Sequence, residues 1–346
     1  MLRVGTDCSG LDAVHTALQQ SGIQFAYEFA SDICPVVRRL LAESDNPPAR
    51  IYSDIREPRD PPTVDLYVAG PPCQSYSRLA LQASGLQDAR GTVFLSVLDY
   101  IRSRRPGVFV LENVANILTR DGGATWAVIW PEICDIPGYV VEYRVLSPHQ
   151  FGWPQRRKRL FLVGRAAGSP PFEWPEPDDA RRAPDLSEVL LSRAEALRLR
   201  PSCGRALAPG YARSLKAIEL QAQARSYDLR KHRFIVMLGQ SPAFDNLGDP
   251  DVAPTMTSHT ENAYVPHQRR FLCAEETLLL QGFPIDHPAS RLPARKMRLL
   301  TGNSIHVGLL SLLIGNVLGE RRAPARRARP PRSVRRRRPA RSARAR

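Results

Sequence analysis

Apolar runs alternate with amphipathic stretches along the first 165 residues. Leu2–Thr6, Gln24–Ala30, Ile51–Asp54, Leu66–Ala69, Val108–Leu111, Val140–Val145 and Leu160–Val163 read as strands. Helical patterns at Leu11–Gln20, Ile33–Leu41 and Thr92–Arg102 lie between the earlier ones. Continuously apolar strands separated by helices belong to a parallel sheet covered on both faces. The expected class is therefore α/β and doubly wound. From Ala166 to about Arg269 the alternation stops, and the chain becomes rich in Pro, Ala and Arg. Helical pieces at Asp185–Leu199 and Leu215–Ala224 and one strand, Phe234–Leu238, suggest a smaller inserted domain there. The regular pattern returns at residues 270–319 with Phe271–Leu280 and the apolar helix Ile305–Leu318.

Composition changes this picture in two places. The net charge of +15 is concentrated in a Pro/Ala/Arg/Ser tail, where Arg321–Arg346 carries 13 arginines and no acid, leaving +2 for the rest. Such a segment has little apolar surface to bury and is expected to be disordered. Polyarginine binds phosphate readily, so the tail reads as a nucleic-acid arm or a nuclear-targeting patch, with a dispensable solubilising extension as the alternative. The expected location is the nucleus in a eukaryote and otherwise the cytoplasm, at the nucleoid. The six cysteines (8, 34, 73, 134, 203, 273) form no CxxC pair and no cluster at zinc spacing. That usage fits a reducing compartment, without a disulfide framework or a metal. No apolar run approaches the roughly 18 residues of a membrane span.

Candidate chemistry gathers where strands end. Leu66–Ala69 runs into Gly70-Pro71-Pro72 and delivers Cys73. Two prolines make a stiff turn, and carboxyl ends of strands are where open α/β sheets hold ligands. Cys73 therefore reads as a nucleophile, although most free cysteines are inert core residues. The first strand, the turn Asp7-Cys8-Ser9-Gly10 and the helix from Leu11 form a nucleotide-cofactor corner, without a GxGxxG fingerprint. Asp32 ends the second strand, where a carboxylate holds ribose hydroxyls or caps the next helix. Asp54 follows the third strand and could accept from an exocyclic amine. Glu112 shares the sheet edge of Cys73, or acts as a cap-like acid before Ala115–Leu118.

With these pieces in order, the sequence resembles the cytosine-C5 DNA methyltransferase family. The resemblance is carried by Ala69-Gly-Pro-Pro-Cys-Gln-Ser-Tyr-Ser77, Asp88-Ala-Arg-Gly91, Leu111-Glu-Asn-Val114, Phe151-Gly-Trp-Pro-Gln-Arg-Arg-Lys-Arg159, Leu279-Leu-Gln-Gly-Phe-Pro284 and Gly302-Asn-Ser304. It implies a Rossmann-like, mostly parallel seven-stranded sheet, residues 166–269 as target-recognition domain, and duplex DNA as the partner of a metal-free monomer. It implies Cys73 as nucleophile, Glu112 on the base at N3 and its amine, Arg159 orienting the base near O2 and supporting the thiolate, and Arg157 as a further member of the catalytic set. Gln74, Ser75, Tyr76, Ser77 and Arg90 would lie on a loop closing over a flipped cytosine. S-adenosylmethionine is the implied cofactor, held by Asp7, Cys8, Ser9, Gly10, Leu11, Asp32, Ile33, Asp54, Ile55, Gly70, Pro71, Asn303 and Ser304.

The chain departs from the family at the cofactor end. Cys8 stands where an aromatic is usual, Leu11-Asp12 where Gly-Gly is usual, Asp32 where a longer glutamate is usual, and Cys273 where Thr is common. A transfer-RNA methyltransferase of the same superfamily is the first rival, and the Cys-Phe-Thr signature of that group is absent. The second is a silent nucleic-acid-binding relative, against which stands the full set Cys73, Glu112, Arg157 and Arg159. A nicotinamide dehydrogenase is disfavoured by the missing glycine fingerprint.

Overall fold

A computed structural model describes residues 1–72, 92–177, 183–240, 246–257 and 260–319. The first strands and helices are β1 (Leu2–Asp7), α1 (Ala13–Gln20), β2 (Phe25–Ser31), α2 (Pro35–Ala42), β3 (Arg50–Tyr52) and β4 (Leu66–Ala69). They are followed by α3 (Thr92–Arg104), β5 (Val108–Val114), α4 (Ala124–Cys134), β6 (Tyr139–Leu146) and β7 (Arg159–Ala166). These strands form one seven-stranded sheet in the order β3-β2-β1-β4-β5-β7-β6. Pairings from β3 through β5 are parallel, and β7 runs antiparallel between β5 and β6. The fold is α/β, with a mostly parallel sheet.

The alternation of side chains explains why its central strands are largely apolar. Leu66 and Val68 enter one core, while Tyr67 and Ala69 enter the other. The first core also receives α1 and α9 (Val307–Val317), and the second receives α3 and α4. The central strands β4 and β5 are thus buried on both faces, as helices on either side require, while the edge strands β3 and β6 are partly exposed. Two glycines let aromatic rings lie on the backbone: a Cβ at Gly5 would sit 2.2 Å from the Phe29 ring, and one at Gly164 2.0 Å from Phe109.

Residues beyond β7 build a second unit around α5 (Arg193–Leu199), α6 (Pro209–Ala224) and a small antiparallel sheet. Its strands are β8 (Val236–Met237), β9 (Ala263–Val265) and β10 (Arg270–Phe271), in the order β10-β9-β8. This sheet straddles position 270. The long helix expected from Asp185 is instead a short 3-10 turn, Leu186–Glu188, and then α5, whose start is fixed by the Ser192/Glu195 capping box. After β10 come α7 (Ala274–Leu280), α8 (Ala294–Asn303) and α9. The run Ala294–Val317 is apolar enough to cross a membrane by composition, yet 78% of its most apolar window is buried within the protein.

Candidate active site

β5 does not end at Leu111. It continues through Val114, pairing antiparallel with β7 so that Glu112 faces Phe161 and Val114 faces Arg159. Residues two apart on a strand share a face, so Arg159 becomes the diagonal neighbour of Glu112. Their side chains meet, Arg159 Nε standing 3.1 Å from Glu112 Oε1. The carboxyl is buried, and burial raises its pKa despite the nearby cations Arg159 and Arg157. Among the described residues, Glu112 Oε1 nevertheless has no aligned hydrogen bond. Glu112 is thus a strand residue, and no cap of the following turn: that turn, Ala115–Leu118, is capped by Val114 without a side-chain bond.

The strand end after β4 is tied to this place. Asn113 Nδ2 donates to the carbonyl of Pro71 at 2.9 Å. A Cβ added at Gly70 would lie 3.8 Å from Glu112 Oε2 and 3.8 Å from Ile305 Cδ1. Gly70, Glu112 and the turn between α8 and α9 therefore converge. Cys73, Gln74, Ser75, Tyr76, Ser77 and Arg90 lie outside the described residues.

Arg157 requires a correction. Expected as a catalytic residue by resemblance, it instead donates from its two terminal nitrogens to three carbonyls, Met256 at 2.8 Å, Gly302 at 2.9 Å and Ser304 at 2.9 Å. Burial, with Arg159 nearby, pushes its pKa down to about 9. It clasps the second unit and the α8–α9 turn to the sheet, so it positions this site from behind. Its own amide donates to Ser147 Oγ, a residue that also caps the 3-10 turn Pro148–Phe151.

At the cofactor corner the structure sorts the expected residues into walls and supports. Asp32 Oδ2 accepts from Gly10 N at 2.9 Å, and Oδ1 from Cys34 N at 2.8 Å. Asp32 is therefore no N-cap: α2 is capped at Cys34, and the carboxylate instead spans the ends of β1 and β2. Burial raises its pKa. Beside it Ile33 is 69% exposed, an apolar surface left open between polar groups. Gly10 has a φ of 56° with nothing within 4 Å of its missing Cβ, which leaves room above the loop. Ser9 bonds Ser31 and Thr6 within the corner. Cys8 also has a positive φ, 52°, and burial raises its thiol pKa. Leu11 and Ile55 are buried. Asn303 ends α8 and is exposed, while Ser304 is buried.

Two of the expected cofactor acids are already engaged. Asp7 accepts from both Arg59 nitrogens at 2.6 Å, from Tyr67 Oη at 2.7 Å and from Ser31 Oγ at 2.5 Å. Its side chain is a support under the corner. Asp54 is held by Arg56, whose Nε lies 2.9 Å from Oδ1, and that bond lowers its pKa. An exocyclic amine would find it occupied. Sequence reasoning missed Arg59 and assigned Asn113 no role. Asn113 was visible in the Glu-Asn-Val run, whereas Arg59 carries no local signal.

The open apolar Ile33, the carboxylate of Asp32 and the uncrowded Gly10 fit a nucleoside with a polar sugar edge. Among the described residues, no group of three His, Cys, Asp or Glu side chains is placed to hold a metal.

Comparison with known proteins agrees with this arrangement. A family model described as C-5 cytosine-specific DNA methylase matches residues 7–318. The chain is similar to the type II methyltransferase M.NgoBI of Neisseria gonorrhoeae, 30% identical over 271 residues, covering 75% of this chain and 76% of the relative. It is 28% identical over 269 residues to the type II methyltransferase M.HaeII of Haemophilus aegyptius, covering 77% and 78%. Among solved structures, the S. pombe Dnmt2 methyltransferase superposes with a TM-score of 0.59 at 20% identity, covering 92% of this chain and 99% of that one, a likeness of fold.

Proposed function

Because this chain belongs to the C-5 cytosine-specific DNA methylase family, we propose that it transfers a methyl group from S-adenosylmethionine to C5 of a cytosine flipped out of duplex DNA. The observation that carries this reading is Glu112: buried, contacted by Arg159, and left with unspent bonding capacity beside the strand end that leads to Cys73.

Cytosine C5 is a poor nucleophile until the ring is activated. The Cys73 thiolate adds to C6, and the displaced π electrons pass toward C5 and N3. Glu112 suits the far side of that ring. Burial raises the proton affinity of this carboxyl, which suits it to hydrogen-bond N3 as negative charge builds there. Its second oxygen is an acceptor for the exocyclic amine. Arg159 fixes the carboxyl and brings positive charge to a site where a thiol of ordinary pKa is only a few per cent ionised. S-adenosylmethionine, when bound, supplies an electrophilic methyl; Asp32, Ile33 and Gly10 are the residues that would hold it. Once C5 carries the methyl, its proton leaves to solvent base, the C5–C6 double bond reforms, and Cys73 departs as thiolate. A stacked base is out of reach for these groups, so the cytosine must leave the duplex. The Arg-rich tail adds a sequence-independent hold on phosphate in this reading.

The test is transfer of labelled methyl from S-adenosylmethionine to mixed-sequence duplex DNA, with a transfer-RNA pool in parallel. Label on DNA cytosine, absent with Cys73→Ser, is expected. Label confined to RNA, or full turnover by Cys73→Ser, would contradict the reading.

A further inference from the structure

A cavity of about 300 Å³ lies between α1, the end of α2 and the loop Pro284–Pro288. It borders the cofactor corner only at Gly10 and Leu11; Asp32, Ile33, Gly70 and Ser304 take no part in it. Its polar lining includes Asp12, Glu43, Ser44, Asp45 and Asp286, and no Lys or Arg among the described residues. His287 is there as well, but burial pushes its pKa down to about 4, so it is uncharged at neutral pH. Leu40, Leu41, Pro284 and Pro288 form apolar walls.

Buried bonding capacity in this cavity is left unused. Asp12 is 7% exposed and caps α1 with one oxygen: Oδ1 accepts from His15 N at 3.3 Å and from Tyr27 Oη at 2.9 Å. Its other oxygen, Oδ2, has no hydrogen-bond partner among the described residues. His15 Nδ1 is the nearest cationic candidate and stands 3.9 Å away. Ser44 Oγ and His15 Nε2 are likewise buried without a hydrogen bond, the latter 3.3 Å from Asp45 Oδ1. A buried carboxylate oxygen without a donor is costly. One such oxygen, with the Ser44 hydroxyl beside it in the lining of an acidic cavity, calls for a ligand that is cationic and carries several hydrogen-bond donors.

We propose that this cavity binds an aliphatic ammonium, its nitrogen on Asp12 Oδ2 and Ser44 Oγ and its methylene stem along Leu40, Leu41 and Pro288. An ammonium offers three donors and one charge at a single point. The apolar walls suit a carbon chain better than a hydrated ion, and no group of three ligating side chains is placed for a metal among the described residues. The occupied site would also touch the cofactor corner. From Asp12 Oδ1 the hydrogen bonds run through Tyr27 Oη to Thr6 Oγ1 at 2.8 Å and on to Ser9 Oγ at 2.7 Å.

The experiment is a calorimetric titration of the full chain, without DNA, with 1,4-diaminobutane at constant ionic strength. Saturable binding with a Kd of about 1 mM or below is expected, since a charge-assisted bond to a buried acceptor exceeds a neutral one. Asp12→Asn retains an N-cap residue and should bind about 10-fold more weakly. Ser44→Leu fills the cavity and should abolish binding with the cap untouched. The proposal is overturned by an absence of saturable heat up to about 20 mM. Unchanged affinity in the folded Ser44→Leu protein, or displacement of the diamine by magnesium chloride at equal concentration, would also overturn it.

Discussion

Two buried arginine–glutamate pairs in this chain share their chemistry and differ in how much of it is spent. In the second unit, Arg270 and Glu276 are fully buried, and Arg270 reaches both carboxylate oxygens, at 2.7 and 2.8 Å. Glu276 accepts further from Cys273 N and Leu191 N, while Arg270 donates to Phe271 O, Leu191 O and Gln268 Oε1. This network joins α5's approach, β10 and the start of α7. At the sheet edge, Glu112 has a single ionic contact and no aligned bond at Oε1 among the described residues. A saturated buried pair is a joint, because any newcomer must break a bond. An under-bonded one is a receptor, because a donor arriving there relieves a desolvation penalty. The Asp7–Arg59 pair stands with the joint: its carboxylate already accepts four bonds.

The contrast can be broken at each pair in turn. Glu276→Gln leaves Arg270 buried without its charge partner and should cost about 3–5 kcal/mol of unfolding free energy in a denaturant titration. A loss below about 1 kcal/mol, the scale of an exposed pair, would show that the network is not a joint. Asp7→Asn should cost somewhat less, about 3 kcal/mol, because polar partners remain. It should also raise the KM for S-adenosylmethionine while leaving kcat within about 3-fold, as expected when only binding is disturbed. A collapse of kcat at unchanged KM would place Asp7 in the chemistry.

The smallest effect sharpens the comparison through pH. Burial raises the Glu112 pKa above its ordinary 4.5. Between those two values the folded protein holds a proton that the unfolded chain has released, so stability falls as pH rises through that window. Compared with Glu112→Gln, which cannot titrate, the native protein should therefore lose stability on going from below pH 4.5 upward. An opposite slope would mean that Glu112 is held ionised by Arg159 and is a joint after all.

Much of the sheet was legible because its central strands are buried on both faces and read as apolar runs; Leu66–Ala69 matches residue for residue. Helix α4 escaped notice because Pro131 interrupts its interior and three residues with positive φ, Asp121, Gly122 and Gly123, precede it. Helix α8 was hidden by its basic first turn, Ala-Arg-Lys. β9 is three residues long and gains its place only by pairing with β8 and β10. At the candidate site, position along the chain revealed which residues converge at strand ends. It did not reveal which were already bonded, since Asp7 is claimed by Arg59 from 52 residues away and Arg157 by carbonyls up to 147 residues away. Those partners are products of tertiary packing, without a local signal.

The central claim is that the unspent bonding of Glu112 is reserved for the target base. Its most direct test is single-turnover transfer of labelled methyl to duplex DNA by Glu112→Gln, with the unfolding midpoint of the same sample. The account predicts a rate lower by about 10²–10³-fold, the scale of a lost acid–base group, with the midpoint preserved. Transfer at the native rate by the folded variant would contradict it.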